Sequence, residues 1–174
     1  MSTTNGNFTK INRMEVLDEL VVTKATIGEN RRRVINHVFP AGNSTFTLSS
    51  KLHDNSIIML DNRLTSNSSG DVATISLPSI ADKGMAGFSC TIVLDEPNSG
   101  GGDIIVASES GDKTSGQILV GPIALGVGID PSTDRGVTIR ATSIAGDSVN
   151  VLFNGFNYNM LAIGGVAGAI TPIS

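Results

Sequence analysis

Residues 44–77, STFTLSSKLHDNSIIMLDNRLTSNSSGDVATISL, hold three apolar-alternating runs separated by clusters of Ser, Asn, Asp and Gly. Alternation places successive side chains on opposite faces of a strand, and the small polar clusters are turn formers. The stretch therefore predicts antiparallel β-structure with polar turns. The same rhythm continues to Thr171 with no convincing helix. An all-β chain without a visible catalytic constellation points to binding or assembly.

Composition narrows the function classes. At 174 residues the chain is long enough for one all-β domain plus a short extra element. Such a domain buries enough surface to hold without disulfides, and the single cysteine, Cys90, permits no intrachain bridge. Cys90 lies inside FSCTIVL (88–94), so it reads as a buried structural thiol. A nucleophile needs a nearby base, and neither His37 nor His53 stands in a context that suggests one. A net charge of −4 argues against a nucleic-acid groove. Aromatics are 4% of the chain, with no Trp and only Tyr158 as tyrosine. That disfavours a glycan face of stacked rings and a base-stacking platform alike. No apolar run reaches the ~20 residues that cross a bilayer. MSTTNGNFTK lacks the features of a signal peptide, so the expectation is a chain starting near Met1 and made in a reducing cytoplasm.

Two parts are expected along the chain. Residues 1–13 read as a polar tail. Residues 14–27, MEVLDELVVTKATI, form a separate apolar segment with two readings. As a helix, Val16, Leu17, Leu20 and Val21 share a face; as an extended arm, VVTKATI supplies β-branched residues. The division is thus an arm over 1–33 and a sandwich over 34–174. Candidate strands are 34–39, 44–48, 56–61, 72–77, 88–94, 103–107, 117–120, 137–142, 148–153 and 158–163. Asn154-Gly155 predicts a hairpin of type I′. Strands in this number close into two packed sheets or a barrel. The fold class is therefore an antiparallel β-sandwich, jelly-roll-like or barrel-like, with an extended N-terminal arm. No exact repeat is visible, so a solenoid or propeller is not expected.

The order FTLSSKLHDNSIIMLD (46–61), VATISLP (72–78), GFSCTIVL (87–94) and DIIVAS (103–108) resembles a domain of tailed-phage virion proteins, the decoration, cement and head-fibre-like group. In that group a strand pair leads to a "T–TLP" strand, here Thr74-Ile75-Ser76-Leu77-Pro78, and then to a strand opening on Gly, here Gly87-Phe88 to Leu94. A late "NG" hairpin matches Asn154-Gly155, and a terminal strand matches Tyr158 to Gly164. Tyr158 or Met160 stands where the group carries Trp. LVVTKATIG (20–28) is similar to the stems of trimeric phage fibre proteins. The resemblance covers about residues 44–168. It implies a β-sandwich on the capsid exterior, a homotrimer, and the major capsid protein or another virion protein as partner. A tail-fibre or receptor- and glycan-binding module is the alternative.

The sharper motifs add little chemistry. Arg31-Arg32-Arg33 reads either as a solvated turn or as an anchor against an acidic partner surface; three arginines alone are a weak nucleic-acid footprint. With Val16, Leu17, Leu20, Val21, Val22 and Ile27 they form the candidate oligomerisation and attachment set. Asp130 and Asp134 could flank a cation, but their segment lacks the ligand pattern of a calcium loop and reads as an Asx-type turn. Asp95-Glu96 reads as a strand-end charge pair. Gly100-Gly101-Gly102-Asp103 lacks the Lys, the Ser/Thr and the following helix of a phosphate loop. LAIGGVAGAITPIS (161–174) reads as a final strand and a tail against a neighbouring subunit. No catalytic residue, cofactor site or metal site is assigned, and no enzyme activity is expected.

Overall fold

A computed structural model describes residues 32–40, 42–61, 71–81, 86–97, 102–108, 114–120, 127–130 and 132–173. The arm residues Val16, Leu17, Leu20, Val21, Val22, Ile27 and Arg31 lie outside the described residues. The described body is all-β. Twelve strands run in chain order: β1 (Arg33–Val38), β2 (Ser44–Thr47), β3 (Ser56–Asp61), β4 (Val72–Ser76), β5 (Ser89–Leu94), β6 (Asp103–Ala107), β7 (Thr114–Val120), β8 (Val127–Ile129), β9 (Gly136–Ile139), β10 (Ser148–Phe153), β11 (Tyr158–Gly164) and β12 (Ile170–Ile173). One helical turn, α1 (Ser50–His53), follows β2. Arg33, grouped above with the arm, is the first residue of β1.

The strands form two sheets, ordered β1-β3-β5-β10-β11-β7-β8 and β12-β9-β6-β4-β2. Their inner faces make one core, in which Ile58, Leu60, Ile75, Ile92, Leu94, Ile104 and Tyr158 are wholly buried. Alternation is what builds it: in β5, Cys90, Ile92 and Leu94 point inward while Ser89, Thr91 and Val93 do not. Each large aliphatic side chain so buried contributes about 1.5–3 kcal/mol.

The sandwich agrees with the sequence, but the pairing corrects it. Five of the ten strand pairs are parallel: β1 with β3, β3 with β5, β2 with β4, β4 with β6, and β7 with β11. The first six strands alternate between the sheets, so the chain winds in coils and each return to a sheet runs in the same direction. Side chains stack along the winding as Ile35–Ile58–Ile92 in one sheet and Phe46–Ile75–Val106 in the other. This is a solenoid-like element that the absence of an exact repeat argued against. The steps from Ile35 to Ile58 and from Ile58 to Ile92 differ in length, so no period shows. Among the described residues the two sheets are therefore mixed rather than wholly antiparallel, with β9, β10 and β12 supplying antiparallel partners.

Two local expectations also change. β10 and β11 form the expected hairpin, but through residues 154–157 rather than a two-residue turn. Gly155 alone takes positive φ (96°), and the Asn154 side-chain oxygen accepts from the backbone N–H of Phe156 and Asn157, both at 2.9 Å. The C-terminal segment forms β12, which pairs with β9 of its own sheet through residue 173. There β12 also meets β8, closing that end of the sandwich over Ile129 and Ile170.

Candidate functional site

The opposite end, where β1 and β2 are both edge strands, is not closed among the described residues. The inward side chains Ile35, His37, Ser44 and Phe46 are only partly buried, whereas their inner neighbours Ile58, Leu60, Ala73 and Ile75 are each 0% exposed. Core packing therefore runs out at the first coil. The His37 ring stacks on Phe46 at 3.8 Å and 9°, which shows β1 facing β2 across the sandwich. Phe39 meets His37 edge-on at 4.7 Å, and His53 of α1 meets Phe46 edge-on at 5.4 Å. Ser44 Oγ is buried there without a hydrogen-bond partner.

Helix α1 exists because Ser49 caps it: the Ser49 side chain accepts from Leu52 N–H, a bond an apolar residue there could not make. His53 Nδ1 in turn accepts from Ser49 N–H at 2.9 Å, and Ser56 Oγ donates to the His53 carbonyl. Arg33 Nη1 donates to the Leu52 carbonyl at 2.9 Å, and Arg32 Nη2 donates to the Ser56 carbonyl at 3.0 Å. The two arginines thus tie the start of β1 to α1 and to the start of β3, each bond using one of the five guanidinium donors. Lys51 lies on the same helical turn, so three of the five Lys and Arg residues described gather at this corner. A chain of net charge −4 is locally basic here. Val34, 59% exposed, and Leu52, 57% exposed, add apolar surface.

Burial, and secondarily His53, hold the His37 imidazole below its ordinary pKa of 6.5. The unfolded chain then takes this proton at higher pH than the folded one. Stability is expected to be flat above pH ~6.5 and to fall as pH drops below it, levelling off beneath the folded-state pKa. Urea melts between pH 5 and 8 on the wild type and on His37→Gln check this: the variant should lose this part of the pH dependence. An identical slope in both would show that His37 carries none of it.

On the outer face of the larger sheet lies an open cleft of about 380 Å³, beside Arg32, Asn55, Ser89, Thr91, Asn150 and Leu152. Thr91 Oγ1 donates to Asn150 Oδ1 at 2.8 Å. Asp54 Oδ1 accepts from the N–H groups of Asn55 and Ser89, both at 2.9 Å. The lining sets Asn, Ser and Thr groups among apolar surface that includes Val151 and Leu152, and it contains no aromatic ring. Cys90 is 1% exposed and points into the core, and burial pushes its thiol up to about 12. A thiol held in this way is protonated at neutral pH.

The remaining motifs prove local. Asp130 Oδ1 accepts from Ser132 N–H at 2.8 Å and from Ser132 Oγ at 2.7 Å, and these bonds hold its carboxyl below the usual range. Asp134 Oδ2 accepts from Asp130 N–H at 2.8 Å. The two carboxylates thus build an Asx-type turn on the backbone. Among the described residues no group of three His, Cys, Asp or Glu side chains converges to hold a metal. Gly100 and Gly101 lie outside the described residues. Sequence reading did not single out Asp147, a 3%-exposed carboxylate that accepts from Ile144 and Gly165 N–H and fixes the turn before β10. Nor did it find the ion pair of Arg140 with Asp103 at 2.7 Å.

No protein-family description matches this chain, and no curated protein or solved structure matches it either.

Proposed function

We propose that this chain is a structural protein of a tailed-phage virion, decorating or cementing the capsid exterior as a homotrimer attached through its N-terminal arm. The observation that carries the reading is in the sequence: a separate apolar segment, residues 14–27, precedes a β-sandwich that has its own core among the described residues. Association through this arm would bury Val16, Leu17, Leu20, Val21, Val22 and Ile27, at about 1.5–3 kcal/mol per large side chain. The ordered resemblance over residues 44–168 supports the same reading. On this reading the protein carries no catalytic role, its partners are its own copies and the major capsid protein or another virion protein, and it resides on the capsid.

Deleting residues 1–30 should leave a cooperatively folded β-domain that neither trimerises nor co-sediments with tailed-phage capsids. A truncated chain that remained trimeric and still bound capsids would remove the arm's role. The outer-face cleft favours a second reading, a tail-fibre or receptor-binding module, because it offers Asn, Ser and Thr groups suited to a sugar hydroxyl. It lacks the aromatic platform that glycan sites use, and a glycan-array screen without hits would count against it.

A further inference from the structure

We propose that the free edge of β1 is a docking site for an extended acidic segment of a partner protein, which adds as a strand beside β1 with its carboxylates at the Arg33–Lys51 corner. This goes beyond the virion reading and holds whether or not the arm trimerises.

Four sheet edges exist among the described residues, and they are unequal. β8 has three residues and β2 has four, while β12 carries Pro172, which cannot donate to an incoming strand. Short strands and proline are the usual protections of an edge. β1 has neither: it runs six residues, RVINHV, in unbroken register with β3, with its one permanent charge, Arg33, at the first position. Its outer row of N–H and C=O groups has no neighbouring strand among the described residues. Added strands draw affinity from such a row and specificity from alternate side chains. Both faces of β1 offer those contacts. Val34 and Val38 are 59% and 42% exposed on the outer face, and Ile35 and His37 are half-covered on the inner face.

Charge selects the occupant. Arg33 is anchored by its carbonyl bond at the start of β1, and Lys51 is exposed on the adjoining turn, whereas Arg32 leans inboard over Ser56 of β3 to the outer-face cleft. The nearby Asp54 carboxylate accepts two backbone N–H groups on the β5 side. An incoming strand bearing carboxylates meets preset cations there. A second copy of β1 brings RVINHV, which contains no carboxylate. A nucleic acid would satisfy the charge but not the main-chain row.

The test is NMR titration of the full ¹⁵N-labelled chain. The probe is an end-blocked octapeptide of alternating valine and glutamate, set against its valine–lysine analogue, an alternately N-methylated valine–glutamate peptide and oligothymidine. The glutamate peptide should shift the amide signals of residues 33–38, with affinity that falls as salt rises. Lys51→Glu, which breaks no bond described above, should weaken binding, and Arg33→Glu with Lys51→Glu should weaken it by about tenfold or more. The lysine and N-methylated peptides should not bind. The proposal is overturned by no response to the glutamate peptide, an equal response to the lysine peptide or the N-methylated peptide, shifts that map away from β1, or binding of oligothymidine alone.

Discussion

Tyr158→Ala is expected to lower the unfolding free energy by about 3–5 kcal/mol, as large-to-small changes at fully buried aromatics do. Tyr158 is 0% exposed at the start of β11, where it pairs with Phe153 across the hairpin and with Thr114 of β7. Its ring lies 5.2 Å from that of Phe153, and its hydroxyl donates to the Pro78 carbonyl beyond β4 in the opposite sheet. One side chain therefore fills core volume and bonds across the two layers. Removing it leaves a cavity and a buried carbonyl stripped of a donor. Tyr158→Phe separates the terms, since it keeps most of the volume and should cost about 1–3 kcal/mol for the unsatisfied acceptor. Urea unfolding followed by circular dichroism measures both. A domain of total stability about 5–15 kcal/mol would be severely weakened by the alanine variant. A loss below about 1 kcal/mol would contradict the buried placement.

Gly116→Ala is expected to cost about 3 kcal/mol or more, from backbone strain and overlap together. Gly116 sits in β7 opposite Met160 with φ +151°, and a Cβ there would overlap the Met160 carbonyl. The obstacle is the backbone of β11, which cannot rotate away as a side chain can. The parallel β7–β11 pair would have to separate, and β8 beyond it would lose its seat. Gly155→Ala is the control: φ is +96°, but nothing lies within 4 Å of the added carbon. It should cost only the left-handed strain, about 1–2 kcal/mol. Equal losses at both positions would show that the β7–β11 contact is looser than described.

Most strands were legible because alternation is a local property. β3, β6 and β10 match their expected bounds, and β4 and β5 differ by one residue at an end. β7 begins three residues earlier than expected, since Thr114-Ser115-Gly116 reads as turn material until β11 supplies its hydrogen bonds. β8 and α1 are too short to show a period. Direction and partner were not legible: alternation says which face a residue takes, not which strand lies beside it. The unequal coil lengths then concealed the winding. At the candidate site the arginine run was visible, but its bonding partners were not. Ser56 and Leu52 receive Arg32 and Arg33 through backbone carbonyls, which any residue would present. The convergence of His37, Phe46 and His53 likewise needed the fold, because β1, β2 and α1 meet only after the chain turns.

The association claim is tested most directly by the solution mass of the intact chain, from light scattering on a size-exclusion column at micromolar concentration. Three chains per particle is the predicted result, with a single chain per particle once residues 1–30 are removed. A monomeric intact chain under the same conditions would contradict the proposed trimer.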